Sequence, residues 1–413
     1  MSIEFAILIF GFIGGFYMAW NIGANDVANS MASAVGAKAI TIKQAVVIAA
    51  VLNIVGAVFL GGSVTDTIRN GIVASDIIAD PRMALIGALS ALVAAAAWLS
   101  FATWKALPVS TTHSIVGAMI GFGLMAGGFG AIKWGQLLPV ISSWLISPLF
   151  SLIIAYTLFM FIKVFILTRD NPFRQAMRLA PVFVFITIFI VCLSFLFKTP
   201  LGAKLAFSTW QSLLLGFGIS VICTVIAQLG FVRMFNNKYK DDRNVEHIFK
   251  NIQIGTACYV ALAQGANDVA NAIGPLVLIY FVVKTGTVGA NLPVPIFLLV
   301  FGGVGIALGI WMAGHRVIAT MGTNITTLNN TRGFAVVFSS ATTVLLASKL
   351  GLPVSTTHAS VGSVIGVGLS GGIAAVNFSV VFKIMIYWVL TVPAAAITSM
   401  IFYKIIMFIL SFF

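Results

Sequence analysis

The sequence predicts an all-α polytopic membrane protein with about ten to twelve transmembrane helices, including broken or re-entrant helices, arranged as two inverted-topology repeats. Composition predicts the membrane location. Hydrophobic residues occupy 60% of the 413 positions and charged residues 8%, and the mean hydropathy is +1.09. Soluble domains carry about 25% charged residues, so a surface this poor in charge needs lipid to cover it.

Long apolar runs predict the individual spans, because about 20 residues are needed to cross roughly 30 Å of hydrocarbon. Runs of this kind are 42–62, 83–101, 149–167, 180–197, 208–232 and 293–313. The first twenty residues are also apolar but lack a basic start and a small-residue cleavage site. We therefore expect them to form a retained first span and not a signal peptide. The three cysteines stand apart in apolar stretches, which predicts neither a disulfide nor a zinc site.

The net charge of +13 raises the alternative of nucleic-acid binding, but the positions of the basic residues argue against it. They cluster in two short connections that two apolar spans separate, which is the pattern of the positive-inside rule. We therefore predict a plasma or inner membrane protein whose basic central loops are cytoplasmic. The absence of Lys and Arg from the first 37 residues fits an outside N-terminus. The clusters contain Arg169, Arg174 and Arg178, and Arg233, Lys238, Lys240, Arg243 and Lys250.

Two motifs each occur twice, which is the third observation behind the predicted fold. GANDVAN occupies 23–29 and 265–271, and PVSTTH occupies 108–113 and 353–358. The offsets of 242 and 245 residues differ by one small indel, so the chain is a duplication. We predict a first repeat at 1–168, a second at 251–413, and central loops with two connecting spans at 169–250. Loop charges favour opposite topology of the repeats, with the site near mid-membrane; a parallel duplication is the alternative.

Intramembrane carboxylates predict a functional site. Of ten acidic residues, only Asp26 and Asp268 lie within long apolar segments, at the same position of the repeated motif. A carboxylate at membrane depth costs about 2.5–3.5 kcal/mol on insertion scales, so function is the default explanation. Glycine and proline near the motifs predict breaks in the helices. Carboxylate and amide oxygens suit a small cation, although a carboxylate can instead carry a proton. The flanking carboxamides are Asn25, Asn29, Asn267 and Asn271.

The second motif supplies hydroxyl groups. Its proline suits the first turn of a helix and its serine and threonines suit the N-terminal cap. Backbone N–H groups at a helix start, together with the positive end of the dipole, make an anion site. Two such clusters facing each other would surround a tetrahedral oxyanion. The hydroxyl residues are Ser110, Thr111, Thr112, Ser355, Thr356 and Thr357. For His113 and His358 we favour a structural hydrogen bond over a proton relay.

The two motifs, one pair in each half, resemble the inorganic phosphate transporter (Pit-type) family, and the resemblance covers essentially the whole chain. It implies a homodimeric symporter with inverted repeats that carries phosphate with Na⁺ or H⁺. It also implies that four residues contact cations or substrate and that the two STT clusters hold phosphate. The four residues are Asp26, Asn29, Asp268 and Asn271.

We therefore expect cation-coupled symport of inorganic phosphate, without a cofactor and without enzymatic activity. Asp26 and Asp268 act in both parts of the expected site. They contact the substrate together with the six hydroxyls, and the cation together with the four carboxamides. Protonated phosphate can donate a hydrogen bond to a carboxylate and sulfate cannot, which favours phosphate. Open alternatives are another oxyanion, an anion channel, and a hydrolase that uses Ser110, His113 and Asp26.

Overall fold

The computed structural model describes residues 3–61, 73, 77, 79–198, 202, 205–237, 244–288, 294–349 and 354–412. That part of the chain is helical apart from short connections and one isolated β-bridge. Its twelve α-helices are α1 Ile3–Gly36, α2 Ile42–Leu60, α3 Pro81–Trp104, α4 Thr111–Gly127, α5 Trp134–Ile162, α6 Pro172–Lys198, α7 Thr209–Asn237, α8 Val245–Thr285, α9 Ile296–Ala319, α10 Asn330–Lys349, α11 Thr356–Leu369 and α12 Phe378–Leu410.

Nine of the helices within the described ranges are long and apolar enough to cross a membrane, which confirms a multi-pass protein. The predicted apolar runs fall on α2, α3, α5, α6, α7 and α9. The helices that follow the two STT clusters are shorter. At 1.5 Å per residue, the 17 residues of α4 and the 14 of α11 reach only about 25 Å and 21 Å. Both fall short of a hydrocarbon layer of about 30 Å.

The motif helices of each half pack against helices of the other half. Helix α1 packs on α9, and its counterpart α8 packs on α2. In the same way α4 packs on α12, and its counterpart α11 packs on α5. Each half therefore completes the other, and neither buries its motif helices alone.

The directions of the motif helices bear on the predicted inversion. Gly11 of α1 faces Ile279 of α8, whereas Asp26 contacts Gln264, so residue numbers rise along one helix as they fall along the other. Helices α1 and α8 are therefore antiparallel. Because the two helices carry the same motif, this arrangement supports opposite orientation of the two halves.

The GANDVAN motifs do not interrupt their helices, so the predicted breaks at these positions are wrong. Helix α1 runs through the first copy, and α8 runs through the second with Pro275 inside it. The motif glycines serve close packing. Gly23 lies against the backbone of Ile306, and Gly265 against that of Asn53, where a Cβ atom would overlap a carbonyl oxygen.

Helices α6 and α7 of the central region pack on each other, and α6 also contacts α8 and α10. Phe183 of α6 joins Phe249 and Phe334 in an aromatic cluster with ring centroids 5.6 Å apart. The central region is thereby attached to the second half. Of its basic residues, Lys204, Lys238, Lys240 and Arg243 lie outside the described residues.

Candidate functional site

The two motif carboxylates lie together in the interior. Asp26 on α1 is 2% exposed and Asp268 on α8 is 8% exposed. They are close enough to interact electrostatically. Two like charges inside a membrane protein are costly unless cations or hydrogen-bond donors offset them. The crossing of α1 and α8 is therefore the centre of the candidate site.

The Asp26 carboxylate is contacted by a threonine hydroxyl from each STT cluster. The hydroxyl of Thr111, in the first turn of α4, donates to one carboxylate oxygen. The hydroxyl of Thr357, in the first turn of α11, lies 3.5 Å from the other oxygen. One carboxylate therefore joins the two hydroxyl clusters, although 85 and 331 residues separate it from these threonines.

Asn29, one turn further along α1, faces the second cluster. Its Nδ2 donates to the hydroxyls of Thr356 and Thr357 at 3.3 and 3.0 Å. The Ser360 hydroxyl donates to the Asn29 backbone carbonyl at 3.2 Å. The Oδ1 of Asn29 is buried and has no hydrogen-bond partner among the described residues. Within the described part of the chain, the side chain of Asn29 thus has an unpaired amide oxygen, on the turn of α1 that follows Asp26.

Asn25 is engaged differently. Its Nδ2 donates to the Thr103 hydroxyl at 3.0 Å and to the Leu107 carbonyl at 3.1 Å. Its Oδ1 accepts the N–H of Val109 at 3.1 Å. All three partners belong to the end of α3 and to the segment that leads into α4. The contacts of Asn25 therefore hold the first PVSTTH motif in place.

The second GANDVAN motif borders a small cleft. Asp268 and Asn271 are buried, whereas Asn267 is partly exposed and lines the cleft. The same cleft reaches Asn29 and Thr356, so it leads to the hydroxyl cluster of α11. Other polar residues along it are Ser194, Tyr259, Gln264, Ser340 and Ser360.

The STT residues divide into two roles. Ser110 and Ser355 are N-caps, and each side-chain oxygen accepts a backbone N–H three residues later at 3.3 Å. This confirms the predicted serine caps. Pro108 lies two residues before the cap, so its predicted place in the first turn is wrong, and Pro353 lies outside the described residues. The threonines occupy the first turns of α4 and α11, where backbone N–H groups and the helix dipole favour an anion. The four are Thr111, Thr112, Thr356 and Thr357.

The hydrolase alternative lacks its central contact. The Ser110 hydroxyl oxygen accepts the backbone N–H of His113. The ring nitrogens of His113 have no hydrogen-bond partner among the described residues. A serine nucleophile needs a base within hydrogen-bonding distance of its hydroxyl, and this pair does not supply one.

Gln264 is a site residue that the sequence analysis missed. Its Nε2 donates to the backbone carbonyl of Asp26, and its Oε1 is buried without a partner among the described residues. The first motif has Ile22 at the equivalent position, 242 residues earlier. A polar residue in one copy opposite an apolar one in the other was a visible signal of unequal sites.

The chain is similar to known proteins in both sequence and structure. The profile of the "Phosphate transporter family" matches residues 22–399. A Pyrococcus abyssi protein named "Putative phosphate permease" is 45% identical over 97% of this chain and 98% of its own length. The chloroplast inorganic phosphate transporter 2-1 of Arabidopsis thaliana is 40% identical over 99% of this chain and 73% of its own length. A solved structure, "The sodium-dependent phosphate transporter", is 44% identical with a TM-score of 0.88, covering 98% of this chain and 100% of that one.

Proposed function

This chain belongs to the phosphate transporter family, and on that premise we propose that it moves inorganic phosphate by symport with Na⁺, at a site between its two repeats. Phosphate transport is the activity of the family, and its members are transporters and not enzymes. The family resemblance inferred from the motifs is thereby confirmed. The coupling ion and the residues that bind each ion form the proposal.

One observation carries the proposal: Asp26 is contacted by threonines of both STT helices. In this proposal phosphate lies between the first turns of α4 and α11. The four threonine hydroxyls and the helix N-termini surround its oxygens, and Ser110 and Ser355 keep the helix starts in shape. A protonated phosphate oxygen donates to Asp26 or Asp268, which favours phosphate over sulfate.

Sodium is favoured over a proton by the oxygens around Asp26. Asn29 Oδ1 and Gln264 Oε1 are both buried and without a partner among the described residues. A proton needs one carboxylate oxygen, whereas a dehydrated hard cation needs several oxygen ligands. We assign Asp26, Asn29 and Gln264 to one cation. To a second cation we assign Asp268 and Asn271, which correspond to Asp26 and Asn29, together with Asn267. The similar solved transporter is named as sodium-dependent, which agrees with this choice.

Charge balance explains why the cation must accompany the anion. Phosphate would add negative charge beside two carboxylates, and the interior of the membrane cannot screen that charge. Bound cations offset it, so each ion stabilises the binding of the other. This coupling separates a symporter from a channel, which passes its ion without a partner.

Labelled phosphate uptake into proteoliposomes under separate Na⁺ and proton gradients tests the proposal. We expect an imposed Na⁺ gradient to drive saturable accumulation, and sulfate to compete poorly. The Asp26→Asn variant is the control for uptake through this site. Accumulation driven by the proton gradient alone would contradict sodium coupling, and an ohmic anion current would indicate a channel.

For the assembly, we propose a homodimer in the plasma or inner membrane with the loop at Arg169, Arg174 and Arg178 in the cytoplasm. The positive-inside rule supports this orientation. Protease cleavage of that loop in inside-out but not right-side-out vesicles is expected, and the reverse pattern would contradict it. Mass measurement in detergent tests the dimer.

A further inference from the structure

Two buried histidines meet where the STT helices approach each other. His113 and His358 occupy the third position of α4 and α11, and their ring centroids lie 4.5 Å apart in an edge-to-face arrangement. His113 also packs on Trp144, with ring centroids 3.9 Å apart, and His358 packs on Trp388, with ring centroids 3.8 Å apart. We call these four residues the ring cluster. It links α4, α5, α11 and α12, yet none of the contacts assigned above to phosphate or sodium uses it.

The ring cluster is not symmetric in its hydrogen bonds. The Nδ1 of His358 lies 3.1 Å from the backbone carbonyl oxygen of Trp144. A carbonyl oxygen only accepts, so Nδ1 carries the proton and donates. His113, by contrast, has no partner for either ring nitrogen among the described residues. The two halves therefore use the same residue type differently.

The sequence explains why this carbonyl is available. In a helix the carbonyl of residue 144 would accept the N–H of residue 148, but Pro148 has no N–H. At the corresponding place in α12, Trp388 is followed four residues later by Val392, which does have an N–H. In α12 the proline stands one position later relative to the tryptophan, so Pro393 frees the carbonyl of Val389 and not that of Trp388.

The bond lies directly beside the site. His358 follows Thr357, whose hydroxyl contacts Asp26. Two further contacts attach α11 to α5 within one turn: Ser151 Oγ donates to the Ala359 carbonyl at 2.7 Å, and Gly362 packs against the backbone at Pro148. These two contacts lie deeper in α11. The His358 bond is the contact nearest the threonines.

We propose that His358 is a positioning residue for phosphate binding. Its Nδ1–H, bonded to the Trp144 carbonyl, ties the first turn of α11 to α5 and keeps Thr356 and Thr357 aimed at the anion. The proposal rests on the placement of phosphate between the STT helices. Among the described residues the His113 ring has no such bond and is held by ring packing, so the two histidines are unequal.

The test compares the apparent KM for phosphate among variants with conserved shape. In His358→Phe the ring contact remains and the donor is lost, so we expect KM to rise about three- to tenfold, the range of one interhelical hydrogen bond. In His358→Asn the amide nitrogen replaces Nδ1, and KM should stay within about twofold of wild type. His113→Phe is the matched control and should also stay near the wild-type KM. An unchanged KM in His358→Phe would overturn the proposal.

A double variant distinguishes a positioning role of His358 from a role limited to hydrogen bonding the buried Trp144 carbonyl. Pro148→Ala restores an N–H at residue 148, so the Trp144 carbonyl gains a partner within α5. In His358→Phe/Pro148→Ala we expect the melting temperature to return to that of the wild type, while the KM for phosphate stays above the wild-type KM. Recovery of KM in the double variant would overturn the positioning role. If His358→Phe fails to insert, His358→Asn and His358→Gln decide, because only asparagine places its donor at the Nδ1 position; equal KM values overturn the proposal.

This result can be told apart from failure of the proposed coupling. Each variant is measured under whichever gradient drives wild-type uptake. Wild-type uptake that does not depend on Na⁺ would contradict sodium symport. The comparison of KM among the histidine variants would remain valid. Normal Na⁺-driven uptake with no change in His358→Phe would contradict only the positioning role.

Discussion

The two copies of GANDVAN have the same seven residues and different surroundings. In the first copy, Asn25 is 1% exposed and makes three hydrogen bonds to the segment before α4. In the second copy, Asn267 is partly exposed and lines the cleft. Asn25 is therefore enclosed by its own repeat, whereas the equivalent Asn267 borders the cleft.

This difference shows that two identical copies of a motif can have different surroundings in the same structure. Asp26 contacts threonine hydroxyls of both α4 and α11, so the first turns of the two STT helices meet at the first motif.

The largest effect is expected from removal of the charge. Asp26→Asn and Asp268→Asn should each lower phosphate uptake about ten- to a hundredfold, since a hydrogen bond to a charged group contributes about 1.5–3 kcal/mol. Uptake into proteoliposomes measures this, and thermal unfolding in detergent checks that the variants fold. Normal transport by either variant would remove its carboxylate from the site.

A stability comparison sharpens the difference between the asparagines. Asn25→Ala leaves the Val109 N–H, the Thr103 hydroxyl and the Leu107 carbonyl without their partner, and each unpaired buried group costs about 1–3 kcal/mol. We expect a lower melting temperature for Asn25→Ala and little change for Asn267→Ala. Equal melting temperatures would show that the two environments do not differ energetically.

The smallest effect is expected at the hydroxyls. Thr111→Ala and Thr356→Ala should each raise the KM for phosphate about two- to tenfold, the range of one hydrogen bond. The half-saturating Na⁺ concentration should change less. The Thr→Ser variants keep the hydroxyl and serve as controls. A larger change in Na⁺ dependence than in phosphate affinity would move these threonines to the cation side of the site.

Local pattern made much of the fold predictable. The apolar runs at 42–62 and 208–232 lie on α2 and α7, because the length of an apolar run and the thickness of the membrane are tied by helix geometry. Burial of Asp26 and Asp268 was also predictable, since both stand inside apolar segments. The helix breaks predicted at Gly23 and Gly265 were wrong, because composition alone cannot distinguish a glycine that ends a helix from one that admits a neighbouring backbone.

By itself, the sequence determined that the chain crosses the membrane many times, that it is duplicated, and which residue types form the site. Each of these follows from composition or from order along the chain. Only the tertiary structure decided that Thr357 reaches Asp26, that Asn25 holds the α4 segment while Asn267 faces the cleft, and that His358 bonds to the carbonyl freed by Pro148. These contacts join residues far apart in the chain. They depend on how α1, α5, α8 and α11 pack, which no local pattern encodes.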